Sequence, residues 1–154
     1  MSFYQGQSYY HHSISLASPQ VELILNTQIA DDVAGAVQHY LASAPATEQE
    51  IYFCIYEELT PVGQIVLHDI NWESGESLIG YCLFRPELRG RGIGSIALRL
   101  LQRFVVEQTR LTRLVIITGV ENHASQAIAH KCGFEYVGGA WEDPESLLVF
   151  EWRR

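Results

Sequence analysis

The residues best suited to chemistry stand together in mid-chain, in the run Leu83-Phe84-Arg85-Pro86-Glu87-Leu88-Arg89-Gly90-Arg91-Gly92-Ile93-Gly94-Ser95. Pro86 turns the chain after a strand-like segment, and three glycines precede a strongly apolar helical run. Glycine has no Cβ, so successive backbone N–H groups can point into one concavity. The start of a helix adds partial positive charge there. That combination suits a phosphate or pyrophosphate, with Arg85, Arg89 and Arg91 beside it, although a glycine-rich turn also precedes helices that bind nothing. No Gly-Lys-Ser or Gly-Lys-Thr is present, which excludes a Walker-type nucleotide loop. Gly92-x-Gly94-x-x-Ala97 does match the dinucleotide fingerprint, with Glu121 placed as a ribose acceptor. Its context disagrees: a Rossmann glycine follows its strand at once, whereas Arg85 to Arg91 intervene, and antiparallel strands come first here. A dinucleotide enzyme is therefore kept only as a remote rival.

The elements that must hold this loop are legible from periodicity. Residues 1–12 are polar and aromatic without period and read as a flexible tail; His11 and His12 lack a third metal ligand nearby. A single domain is expected over 13–154. It opens with short strand-like runs around Pro19, then a helix capped by Asp31 or Asp32 and carrying Val33, Val37, Tyr40 and Leu41. Runs 51–58, 62–70 and 77–84, joined by short turns, read as an antiparallel meander. Ile93, Ile96, Ala97, Leu100, Leu101, Phe104 and Val105 repeat at helical spacing. The run 114–120 is apolar enough for a strand covered on both faces. A second helix over 123–131 is stopped by Cys132-Gly133, where glycine supplies a left-handed cap. Segments 134–141 and 147–152 close the chain as a hairpin, with Trp141 and Trp152 packing the core or a dimer seam.

Composition narrows the function classes. The 154 residues carry 10 Lys+Arg against 18 Asp+Glu and are 47% hydrophobic, which fits one globular domain. A net charge of −8 argues against a nucleic-acid surface, and no apolar run approaches the roughly 18 residues of a membrane span. No secretory signal is visible, and Cys54, Cys82 and Cys132 form no C-x-x-C pair, so a reducing cytoplasm is the expected location. Charge is unevenly spread. All ten basic residues lie from Arg85 onward, so the first 84 residues are wholly non-basic. This suggests one half able to meet an anion and an acidic half facing a cation.

Arg89-x-x-Gly92-x-Gly94 resembles the R/Q-x-x-G-x-G/A signature of the GNAT superfamily of acyl-CoA-dependent N-acetyltransferases. The longer run Gly80 to Gly94, GYCLFRPELRGRGIG, is similar to the G-Y-x-L-x-P-x-x-R-G-x-G-x-G wording of its ribosomal-protein (RimJ/RimL-like) branch. Glu121-Asn122-His123-Ala124-Ser125, followed by Lys131-Cys132-Gly133-Phe134, resembles the branch's E-N-x-x-S…K-x-G-F. The likeness is close over 77–139. It implies an α/β (α+β) GNAT fold: a central mixed, mostly antiparallel sheet splayed between two adjacent parallel strands, with helices on both faces. It also implies transfer of an acetyl group from acetyl-CoA to a primary amine by direct attack in a ternary complex, without a metal. By position, the backbone of Cys82, Leu83 and Phe84 would hold the pantetheine arm, with a backbone N–H near Leu83 as oxyanion donor. Arg89, Gly90, Arg91, Gly92, Ile93, Gly94 and Ser95 would cradle the pyrophosphate, and Asn122 and Ser125 would meet the pantetheine end.

Proton transfer is less determined by the resemblance. A lysine-type amine has a pKa of about 10.4 and must lose a proton before attack. The tyrosine many relatives place seven residues after the motif asparagine is Ala129 here. Ser125 occupies the branch's alternative position for a general acid, and it can equally be a local helix cap. Leu78 stands where the branch often has a glutamate base, which leaves His68, Asp69, Glu73 and Glu76 as candidates. Cys82 as an acyl carrier is disfavoured by its apolar strand setting, and His123 and His130 lack further metal ligands. The two departures motivate a rival reading, a silent acyl-CoA-binding or regulatory module. Protein N-termini, amino acids, polyamines and aminoglycosides all stay open as acceptors, a cationic amine being favoured by the charge split. Acyl groups other than acetyl, and the oligomeric state, a homodimer included, are open as well.

Overall fold

The computed structural model describes residues 11–14, 21–25 and 49–154. Strands β1 (His11–Ile14), β2 (Val21–Leu25), β3 (Ile51–Glu57), β4 (Thr60–Asn71) and β5 (Glu76–Leu83) precede helix α1 (Ile93–Gln108). Strand β6 (Arg113–Gly119), helix α2 (His123–Lys131), β7 (Glu135–Gly139) and β8 (Leu147–Arg153) complete the order. All eight strands join one sheet in the order β1-β2-β3-β4-β5-β6-β8-β7. Every neighbouring pair is antiparallel except β5 and β6, which run parallel. A short 3₁₀ turn at Pro86–Leu88 links β5 to the glycine loop.

The meander, both described helices and the closing hairpin form where the apolar periodicities place them. β1 starts at His11, so His11 and His12 pair with Ile24 and Leu23 and do not belong to a tail. Residues 1–10 and the helix expected around 31–41 lie outside the described residues. Among the described residues both helices cover the same face of the sheet. That face carries Leu23, Phe53, Ile65, Ile79, Leu114 and Ile116, all essentially buried in one core with the apolar stripe of α1. Leu98, Ser95 and Gln102 are buried off that stripe because α2 packs against the flank of α1. Gln102 Nε2 donates to the Cys132 carbonyl at 2.8 Å and Arg99 Nη2 to that of Lys131 at 3.3 Å, tying the end of α2 down. Trp141 is 97% exposed, in the turn after β7, so it does not pack the core; Trp152 does approach it, its ring 6.4 Å from that of Phe134.

Phe53 and Phe104 meet edge to face at 5.0 Å in the middle of this core, both fully buried. Truncating Phe53 to alanine removes that contact and leaves a void between β3 and α1. The expected loss is about 3–5 kcal/mol of unfolding free energy, read from the urea midpoint of Phe53→Ala against the parent chain.

Candidate active site

The decisive feature is how briefly β5 and β6 pair. Only Glu76, Ser77 and Leu78 of β5 stand opposite Arg113, Leu114 and Val115 of β6. β5 then runs on to Leu83 and β6 to Gly119 without pairing, so the sheet opens between them. Into this opening runs a cleft of about 820 Å³, walled by Tyr81, Cys82 and Leu83 on one side and by Asn122, Ser125 and Ile128 on the other. The glycine loop and the first turn of α1 close its outer end.

The register determines which strand atoms face the opening. Phe84 N–H donates to the Val62 carbonyl at 2.9 Å. Hydrogen-bonded and non-bonded pairs alternate in an antiparallel ladder, so Cys82 also directs its backbone at β4, opposite Gln64. The backbone of Leu83 and Tyr81 therefore turns toward the gap. Of the three residues expected to bind along the strand, Leu83 alone is so placed, and Phe84 does not line the cleft. Burial raises the Cys82 thiol above its ordinary 9.0, which leaves little thiolate for a covalent role.

At the outer end, Gly90 and Gly92 adopt φ of +75° and +84°, a left-handed backbone that glycine alone takes at little cost. Gly92 is the N-cap of α1 and no side chain caps that end. The first amide with an acceptor is Ile96 N–H, bonded to the Gly92 carbonyl at 3.1 Å. The amides of Ile93, Gly94 and Ser95 ahead of it find no acceptor within the helix. Three unsatisfied donors at a helix start beside Arg89 and Lys131 fit an anionic group. Arg91 does not join them: its guanidinium pairs with Glu57 at 2.8 Å and lies outside the cleft. A side chain at Gly94 would press on Ile128, whose Cδ1 lies 2.8 Å from the Cβ position, so Gly94 lets α1 and α2 approach at the cleft.

The inner end carries two hydroxyls. Asn122 caps α2, its Oδ1 accepting from Ser125 N–H at 3.1 Å. This frees the Ser125 hydroxyl, which is not the cap; it sits 2.9 Å from the Tyr81 hydroxyl. Tyr81 also donates to the Ser125 carbonyl at 3.3 Å. Burial raises Tyr81 above its ordinary 10.0, so it stays a neutral donor. Sequence reasoning missed Tyr81. The one signal was its position two residues before Leu83, on the same face of the strand.

The two glutamates considered as bases are elsewhere. Glu76 is held by Arg113 at 2.9 Å, and Arg113 also grips Glu151 at 2.7 Å. Hydrogen bonding to Arg113 keeps the Glu151 carboxyl below its ordinary value. Glu73 lies in the turn before β5, its N–H bonded to Asn71 Oδ1 at 3.0 Å. Both sit at the far end of β5 from Leu83, more than about 20 Å along the strand. His68 and Asp69 are paired at 2.7 Å on β4. Among the described residues no three His, Cys, Asp or Glu side chains gather as a metal site, and no helix is long and apolar enough to cross a membrane.

Comparison with known proteins agrees with this geometry. YdaF of Bacillus subtilis (strain 168), named as a ribosomal N-acetyltransferase, is 33% identical over 101 residues, covering 58% of this chain and 55% of YdaF. The chain thus matches about half the length of that relative. The apo structure of RimL, a ribosomal L7/L12 alpha-N-protein acetyltransferase, superposes with a TM-score of 0.73 at 17% identity, over 96% of this chain and 97% of that one. RimJ of Mycobacterium smegmatis, in complex with CoA-disulfide, gives 0.71 at 18% identity, over 93% and 86%. The family model for the acetyltransferase (GNAT) domain matches residues 11–135, most of the chain. The chain therefore belongs to the GNAT acetyltransferase family.

Proposed function

We propose that this protein transfers an acetyl group from acetyl-CoA to a primary amine, by direct attack within a ternary complex. The observation that carries the reading is the unpaired reach of β5 and β6 ending at three free helix amides. A pantetheine arm has peptide-like amides and can lie against Leu83 as a further strand would. The amides of Ile93, Gly94 and Ser95 would hold the pyrophosphate, with Arg89 nearby. Asn122 would contribute its side-chain amide nitrogen, which has no protein partner among the described residues. The Leu83 N–H, turned toward the gap, would receive the negative charge that develops on the acyl oxygen, the interaction that contributes most in reactions of this kind. Ser125, backed by Tyr81, would deliver a proton to the departing sulfur. The pair thus fills the role left open by Ala129.

Acceptor choice follows the electrostatics: the first 84 residues contain no Lys or Arg, which favours a cationic amine at low salt. YdaF and RimL carry ribosomal-protein names, which makes a protein or peptide amino group the first acceptor to try.

The test is a thiol-release assay with acetyl-CoA over peptide N-termini, amino acids, polyamines and aminoglycosides, alongside thermal denaturation with acetyl-CoA. We expect stabilisation of about 2–3 kcal/mol at a hundredfold excess over Kd, and CoA release with at least one amine class. Stabilisation without release from any amine would support a silent acyl-CoA-binding module; a shift with NAD but none with CoA would revive the dinucleotide reading.

A further inference from the structure

We propose that His68, oriented by Asp69, is the base that removes a proton from the attacking amine, working from the sheet face opposite the two helices. This deepens the acetyl-transfer reading and rests on it. Alternation along the strands settles the face. Leu67, Ile79 and Tyr81 turn toward the helices, so His68, Leu78 and Gly80 turn away. His68 stands opposite Leu78 on β5, and Leu78 opposite Val115 is the last rung before β5 and β6 part. The imidazole therefore stands on β4, one strand away from the point where the opening begins. The next residue on that face of β5 is Gly80, and a Cβ there would lie 3.7 Å from His68 Nε2. Val66 Cγ1 lies closer still, 3.3 Å from that position, so the bare glycine leaves room for both side chains over β5.

Asp69 fixes which ring nitrogen is the base. It lies at a register shift between His68 and Asn71 and has φ of +50°, a left-handed backbone unfavourable to a residue with a Cβ. A bulge of this kind re-aims side chains, and here it brings Asp69 Oδ2 to 2.7 Å from His68 Nδ1. A carboxylate only accepts, so Nδ1 carries the proton and Nε2 of the neutral ring presents its lone pair. Among the described residues, the titratable groups facing His68 are Asp69 on its own strand, Glu50 just before β3 and Tyr52 on β3, the last two bonded to each other at 3.1 Å. β5 offers none.

Leu83 lies three residues past Gly80, about 10 Å along the strand, so the proton crosses intervening water. The amine nitrogen bonds to the acyl carbon and one N–H proton passes to Nε2. The carbon–sulfur bond breaks with its electron pair leaving on sulfur, which takes a proton from the Ser125–Tyr81 pair. The imidazolium then returns its proton to solvent, from which the hydroxyl pair recovers its own.

The experiment is steady-state kinetics of His68→Gln and Asp69→Asn against pH, with acetyl-CoA affinity measured in parallel. His68→Gln should lower kcat about 10- to 30-fold at neutral pH, flatten the acid limb of kcat/KM and leave acetyl-CoA affinity unchanged. Asp69 is a positioning residue whose side chain is 74% exposed, so Asp69→Asn should fold normally. It should move the acid limb, with a loss of about threefold to tenfold. A parental acid limb and kcat in both variants would overturn the assignment while leaving acetyl transfer intact. A parent chain that releases no thiol with any amine would overturn acetyl transfer itself.

Discussion

Ser125→Ala should lower kcat by about 10²-fold, the usual scale for a lost general acid, with acetyl-CoA affinity nearly unchanged. The substitution is clean because Ser125 serves α2 through its backbone: the N–H that bonds Asn122 Oδ1 at 3.1 Å survives in alanine. Only the hydroxyl is lost, and with it the 2.9 Å contact to Tyr81. Tyr81 keeps the Ser125 carbonyl as a partner at 3.3 Å, so the wall of the cleft holds its shape. Tyr81→Phe removes the same contact from the other side and should cost less, because Ser125 retains its hydroxyl, the proposed donor. The double variant should be little worse than Ser125→Ala, since the two hydroxyls form one unit. Steady-state kcat and KM for the three variants decide it. Full activity in Ser125→Ala would mean that thiolate departs without help and that the pair is structural.

Gly92→Val should weaken acetyl-CoA binding by about 10²-fold or more. Gly92 holds φ of +84° at the N-cap of α1, where a β-branched residue is strained by roughly 1–3 kcal/mol. The chain can relieve that strain only by reshaping the loop, which redirects the free amides of Ile93, Gly94 and Ser95. Stability alone would not separate this from ordinary damage. Gly138→Val supplies the control: Gly138 has φ of +133° on β7 and does not line the cleft. Isothermal titration with acetyl-CoA should show Gly138→Val binding like the parent and Gly92→Val binding weakly. Equal affinity in both would remove the loop from the binding site.

Much of this arrangement was legible because local pattern and tertiary role coincide. The seven apolar positions of α1, from Ile93 to Val105, are buried as their spacing requires, and the turn residues of the meander fall between the strands. What stayed hidden depends on side chains meeting across long separations. Tyr81 and Ser125 are 44 residues apart, and Arg113 reaches Glu76 across 37. No periodicity records either meeting, although one builds the proposed proton donor and the other withdraws a candidate base. Arg91 illustrates the same limit, since its neighbours in sequence suggest an anion while its nearest partner in space is Glu57. Trp141 and the start of β1 failed for a different reason. A large apolar residue need not be buried, and a polar His-His pair gives no sign of strand pairing.

The three rungs between β5 and β6 have a mechanical consequence. The sheet behaves as a five-stranded leaf and a three-stranded leaf joined by a narrow hinge. Hydrogen bonds fix the hinge but not the angle at which the leaves stand. That angle is determined where α1, which packs on the five-stranded leaf, meets α2, which packs on β6 and β7 of the other. The width of the cleft is thus a property of residues where the two helices meet, such as Gln102 and Cys132, which do not line it. Drift in those core volumes would retune the acceptor side without changing a single residue that meets the substrates.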